Sequence, residues 1–251
     1  MDTMNIVIML LIGVFGGFIS GLVGIGGAII IYPTILLLPP LFGVPAYSAY
    51  IASGLTSSQV FFSTLSGSLK AIKQPEFNLS LVLNMGGGMV AGSILGASAT
   101  NLFDATFVNH VYVIVAILAL ISMFIKIKPS PQRAKFNKSV LIILGFIIGI
   151  ISGIVGAGGT FIIIPLLLIL FKLPIKTVIA NSIVIAFLSS IGAFAIKLMQ
   201  GYIPIEDALF LIIGSIIFAP IGMKVGNNIP NAVQKWIISL FIFIAIIQLV
   251  F

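Results

Sequence analysis

Gly17-Phe18-Ile19-Ser20-Gly21-Leu22-Val23-Gly24-Ile25-Gly26-Gly27-Ala28 returns later in the chain as Gly149-Ile150-Ile151-Ser152-Gly153-Ile154-Val155-Gly156-Ala157-Gly158-Gly159-Thr160. The offset is 132 residues, and it persists to the pair Pro33 and Pro165. Leu41-Phe42-Gly43-Val44-Pro45 then parallels Leu170-Phe171-Lys172-Leu173-Pro174, and Gly88, Gly92 and Gly96 space like Gly214, Phe218 and Gly222. A shared string of this length with a downstream proline marks an internal duplication. The halves read as residues 1–126 and 138–251, joined by a basic, proline-containing linker at 127–137.

Composition says where such a chain can live. Of its 251 residues, 60% are hydrophobic and 7% charged, whereas a soluble domain carries roughly 25% charged residues. Twelve Lys and Arg with five Asp and Glu cannot coat a water-soluble globule of this size. This excludes a cytosolic enzyme, a disulfide scaffold (there is no Cys) and a disordered chain. The net charge of +7 is too dispersed to form a nucleic-acid stripe, so no nucleic-acid partner is expected. Lys126, Lys128, Arg133, Lys135 and Lys138 read instead as a cytoplasmic loop. The N-terminus lacks a basic stretch and a cleavage site, and reads as a retained segment.

The few charges act as depth markers. A helix rises 1.5 Å per residue and the hydrocarbon core is about 30 Å thick, so one crossing takes about 20 residues. Lys176 to Lys197, Asp207 to Lys224, Asp104 to Lys126, Glu76 to Asp104 and Lys235 onward each fit one crossing. The 33 residues between Lys138 and Lys172 are too many for one, and the 67 between Asp2 and Lys70 need three limbs. A break at each glycine motif resolves both, because glycine is costly inside a helix and favours turns. Each half becomes a glycine-tipped hairpin plus three crossings, with limbs of about 16 residues in the second hairpin. An odd number of crossings inserts the halves in opposite orientations. Eleven basic residues then fall inside and one, Lys197, outside; a plain eight-helix bundle with both termini inside places only eight inside. The expected fold is therefore an all-α polytopic membrane protein of two inverted-topology repeats, about eight helices by conventional count.

Broken helices in inverted repeats recur in secondary transporters. A break frees backbone N–H groups at a positive helix end, which binds an anion without a charged side chain. The candidates are Ser20, Gly24, Gly26 and Gly27 in one half and Ser152, Gly156, Gly158, Gly159 and Thr160 in the other. Small residues also let membrane helices approach closely, so close packing is the alternative use of the same pattern.

The paired S-G-φ-φ-G-x-G-G segments, each followed by an apolar run and Pro33 or Pro165, resemble the sulfite exporter TauE/SafE family. The resemblance covers essentially the whole chain. It implies a bacterial, archaeal or plant membrane protein of seven to nine predicted helices that moves sulfite, thiosulfate, a sulfonate such as sulfoacetate, or another small organic anion. Many members carry a third glycine where this chain has Ala28 and Thr160, so the tips here are slightly altered.

After each hairpin comes a small-polar segment: Ser53, Thr56, Ser57, Ser58 and Gln59 in one half, Asn181 and Ser182 in the other. Their hydroxyls and amides suit an oxoanion, Asn181 above all; interhelical bonding is the competing use. Lys70 and Lys197, related by the repeat, stand as cations at opposite mouths, to attract an anion or to snorkel to the headgroups. His110 beside Asn109 reads as a surface residue in a short loop, and Tyr112, Tyr202 and Trp236 as interfacial anchors. Pro33, Pro165 and Pro220 read as helix ends or kinks. No Asp or Glu lies deep in a span, which disfavours a carboxylate-gated cation carrier. There is no phosphate-binding loop, no Cys and a single His, so no catalytic residue, metal or cofactor is expected. The sequence thus reads as a cell (inner) membrane exporter of a small anion working by alternating access. Its partners are that anion and the bilayer, and self-association is left open. An anion channel, or a carrier of a non-sulfur organic anion, is the alternative.

Overall fold

The computed structural model describes residues 3–23, 27–124, 137–226 and 228–230, and nine positions between 233 and 247. Gly24, Gly26 and nearly all of the 127–137 linker lie outside the described residues. The described part is helical: α1 (Thr3–Val23), α2 (Ala28–Leu41), α3 (Ala49–Ala71), α4 (Leu79–Ala99), α5 (Ala105–Phe124), α6 (Lys138–Val155), α7 (Thr160–Ile169), α8 (Ile175–Met199) and α9 (Ile205–Gly226). A single 3-10 turn, Thr100–Leu102, follows α4. Side chains of Ser48, Asn78 and Asn137 accept first-turn amides and so start α3, α4 and α6.

Among the described residues, α1, α4, α6, α8 and α9 are long and apolar enough to cross a bilayer. The 23-residue α3 is long enough but rich in Ser and Thr. It tolerates that composition because it runs through the centre of the bundle, against α8 and α9. The hairpin limbs are unequal, 18 residues for α6 and 10 for α7, which corrects the expectation of two limbs near 16. At about 15 Å, α7 reaches only halfway through the hydrocarbon core.

The repeat-related helices α3 and α8 run antiparallel. Ser53 near the start of α3 meets Lys197 near the end of α8, and Ser68 near the end of α3 meets Ile183 near the start of α8. That is the inverted relation the charge pattern predicts. The first helix of each half packs along the fourth helix of the other: α1 beside α9 and α4 beside α6, both parallel. Glycines make this possible. A Cβ on Gly17 would stand 2.5 Å from Ser215 Cα, and one on Gly149 the same distance from the Met89 carbonyl oxygen. Gly13 and Gly21 extend the first stripe, Gly145 and Gly153 the second. Part of the glycine pattern therefore does serve packing.

Local expectations narrow or change. The prolines lie within helices and not at their ends: Pro33 in α2, Pro165 in α7 and Pro220 in α9. Pro33 has no N–H, which leaves the Ile29 carbonyl one turn earlier without a helical donor, and the Tyr112 hydroxyl supplies it. Tyr112 is accordingly a buried side chain stacked on Tyr32 at 4.8 Å, not an interfacial anchor. His110 and Asn109 sit within α5, where His110 is exposed and Asn109 accepts from the Tyr32 hydroxyl.

Candidate functional site: the second glycine tip against the centre of the bundle

The two tips lead into their second limbs in the same way, as far as the described residues extend. Gly27 and Gly159 adopt left-handed conformations (φ 73° and 70°) directly before α2 and α7, which a side chain would strain. Their carbonyls take the amides of Ile30 and Ile31, and of Ile162 and Ile163. The carbonyl of Ser152 takes the amides of Gly156 and Ala157. The amides of Gly158, Gly159 and Phe161 then find no acceptor among the described residues. These are the free donors a helix start leaves, held inside the bundle.

The tip sits at mid-depth. A Cβ on Gly158 would press Val60, the midpoint of α3, and come within 3.8 Å of the Ala186 carbonyl oxygen in the middle of α8. Gly159 lies against Ser152 and Met89. On the next turn of α3, Ser63 and Ser20 hydroxyls bond at 3.3 Å, and Ser20 also borders Gly27. Both tips thus converge on the 59–63 turn of α3.

Among the described residues, the buried side-chain atoms without a partner are Oγ of Ser152, Ser182 and Ser189, both amide atoms of Gln59 and Oε1 of Gln200. Ser152 borders Gly159, and Gln59 adjoins the Val60 that Gly158 faces. Ser182, Ala186 and Ser189 share one face of α8, because positions four and seven apart align on a helix. Gln59 adjoins Val60 and lies one turn before Ser63. A buried polar group without a partner is costly, so these side chains and amides are open to a hydrogen-bonding partner.

Other sequence candidates are committed elsewhere. Ser57 bonds back to the Gly54 carbonyl at 2.7 Å, as Ser58 and Thr56 do within α3. Asn181 donates to the carbonyls of Glu76 and Thr177 and accepts the Asn78 amide at 2.7 Å, so it fastens the α3–α4 turn. Lys70 is exposed in the last turn of α3. Lys197, expected at a membrane mouth, is fully buried: its Nζ reaches Ser53 Oγ at 2.8 Å, the Ile154 carbonyl at 3.2 Å and Thr100 Oγ1 at 3.5 Å. Gly156 packs on the Ser53 backbone, so this lysine closes the base of the same tip. The side chain of Thr160 lies outside the described residues.

Ser189 is the residue sequence reading missed. Its signal was its place seven residues after Ser182, on the same helical face. A groove of about 360 Å³ between α4 and α6, lined by Leu83, Asn84, Gly87 and Phe146, faces outward and is separate from the tips. At the end of the molecule beyond Lys197, Asn5 and Tyr47 hold both oxygens of Asp207, at 2.9 and 2.7 Å. Burial, together with that hydrogen-bonded carboxylate, pushes the Tyr47 phenol well above its ordinary range. Tyr202 caps α8 in the following turn, stacked on Tyr50.

The model of the family Sulfite exporter TauE/SafE matches residues 9–249. A probable membrane transporter protein of Bacillus subtilis (strain 168), YunE, is 27% identical over 97% of this chain and 95% of its own. A second from the same organism, YdhB, is 27% identical over 98% of this chain and 99% of its own. A probable membrane transporter protein of Methanocaldococcus jannaschii is 26% identical over 88% and 86%. No solved structure matches the chain.

Proposed function

The chain belongs to the sulfite exporter TauE/SafE family of membrane transporters, and on that footing we propose that it is a secondary carrier exporting a small anion across the cell membrane. The anion is an oxidised sulfur species: sulfite, thiosulfate or an organosulfonate. The sulfur preference follows from the family. The observation that supports the anion reading is the second tip, where the amides of Gly158, Gly159 and Phe161 find no acceptor among the described residues and the unpartnered Ser152 borders Gly159, with unpartnered Gln59, Ser182 and Ser189 on the facing helices α3 and α8.

The positive end of α7 supplies the attraction and the hydroxyls and amide supply hydrogen bonds, so no carboxylate, metal or cofactor is needed. The site is a binding site with no catalytic residue. On the first side the same role is proposed for Ser20 and Gly27 and, from the sequence motif alone, for Gly24 and Gly26. Lys197 supplies a positive charge at the second tip's base, and exposed Lys70 attracts anions at the opposite face. The first repeat (1–126) and second repeat (138–251), joined by the linker at 127–137, interlock through α1 on α9 and α4 on α6, so alternating access would move helix groups drawn from both repeats and not one repeat against the other.

Counterflow in proteoliposomes tests this. With sulfite, thiosulfate, sulfoacetate and a plain carboxylate in turn, preloading with a transported anion accelerates uptake of its labelled copy, and uptake saturates. Non-saturating flux without counterflow would make the protein a channel. Transport of the carboxylate alone would replace sulfur chemistry with organic-anion carriage.

A further inference from the structure

Among the described residues, Lys197 has no acidic partner. It lies in the last turn of α8, fully buried, and its Nζ is surrounded by neutral oxygens: Ser53 Oγ of α3, the Ile154 carbonyl of α6 and Thr100 Oγ1 after α4. Both hydroxyls give their own protons to backbone carbonyls, Ser53 to Tyr50 and Thr100 to Gly96, so each turns a lone pair to the nitrogen. Among the described residues no carboxylate pairs with it. The titratable groups on the elements around it are all committed elsewhere. From α3, the Tyr50 hydroxyl bonds the Phe103 carbonyl. In the turn after α8, the Tyr202 hydroxyl bonds Asn101. After the 3-10 turn, the exposed Asp104 caps Phe107. On α9, Asp207 is held by Asn5 and Tyr47, and Glu206 is exposed. On α6, Lys138 stands at the opposite end of the helix.

An unpaired ammonium inside a span is costly. Two events remove that cost: departure of its proton or arrival of an anion. The second tip, where the anion is proposed to bind, begins two residues after Ile154; an anion against Val60 lies seven residues, roughly 10 Å, along α3 from Ser53 and the lysine nitrogen, near enough for the two charges to interact in a low-dielectric interior. Lys70, which the repeat relates to Lys197, is exposed to solvent and has no such constraint. The two halves therefore differ at this position.

We infer that Lys197 couples anion transport to proton movement. Resting on the carrier reading above, the amine takes up one proton as the anion enters beside the second tip. It releases that proton when the anion leaves on the other side. Anion and proton thus cross together, and the lysine returns to its starting state with charge and protons balanced.

The test uses the full-length protein in proteoliposomes holding a pH-sensitive dye, with the membrane potential clamped at zero. The probes are thiosulfate and sulfoacetate, neither of which titrates near neutral pH. Inward flow of either anion should acidify the lumen by about one proton per anion. Lys197→Arg keeps the charge but cannot release its proton. It should still bind the anion, within about tenfold, while its proton-to-anion ratio falls below about one tenth of the wild-type value. Lys197→Gln, the second variant, should show the same fall in ratio. Both are screened for a single size-exclusion peak. A wild-type ratio of zero during measurable anion flow, or an unchanged ratio in Lys197→Arg, overturns the inference. If the wild-type protein moves no anion of the panel, the carrier reading itself falls and takes this inference with it.

Discussion

Ser152 and Asn181 are both fully buried polar side chains, yet their surroundings give them opposite roles. Asn181 has three bonds, to Glu76, Thr177 and Asn78, and removing them strands a backbone amide and a carbonyl. Asn181→Leu should cost about 1–3 kcal/mol of stability in a detergent unfolding titration. Ser152 Oγ has no partner to lose. Ser152→Ala should leave unfolding unchanged while weakening anion binding about tenfold, since a hydrogen bond to a charged group contributes about 1.5–3 kcal/mol. Both residues were visible in the sequence as polar groups in apolar runs. Which one was free was not, because the partners of Asn181 lie about a hundred positions away. Lys197 was visible as the one basic residue on the wrong side of the charge tally. Its burial was not, because snorkelling and inward pointing differ only in what surrounds the helix.

At the level of helices, two adjacent glycines of α4 separate packing from propensity. Gly88 lies against the Ile142 carbonyl of α6, whereas nothing stands within 4 Å of a Cβ placed on Gly87. Gly88→Ala should force α4 and α6 apart and cost about 1–3 kcal/mol. Gly87→Ala should be neutral or stabilise by up to about 1 kcal/mol, as alanine is the better helix former. The same unfolding titration reads both. Spacing by fours was legible as a close-packing pattern. Its partner helix was not, because a small-residue stripe says that something approaches and not what. The limb lengths were likewise only half legible: charge-free distance bounds a hairpin, but the point where α7 ends depends on the Leu170–Pro174 turn and not on a charge.

For the whole molecule, α3 antiparallel to α8 fixes which loops share a face. The turns at Leu102 and Tyr202 lie on one side and that at Gln74 on the other. The chain has no cysteine, so Leu102→Cys and Gln74→Cys provide clean topology reporters. Impermeant maleimide added to intact cells should label Leu102→Cys only. Labelling of Gln74→Cys alone would reverse the orientation derived from the basic residues. The inverted architecture was readable from a duplicated motif and an odd crossing count, because both depend on length and charge and not on contacts.

The claim at the centre of this account is that the anion sits at the second tip, against the middle of α3. Ser152→Cys, nearly isosteric and the sole thiol in the chain, tests it in functioning proteoliposomes. Saturating sulfoacetate should slow maleimide labelling of that thiol by about tenfold, while leaving a control thiol at the exposed Ser139 unaffected. An unchanged labelling rate at position 152, in vesicles that transport sulfoacetate, would place the anion elsewhere.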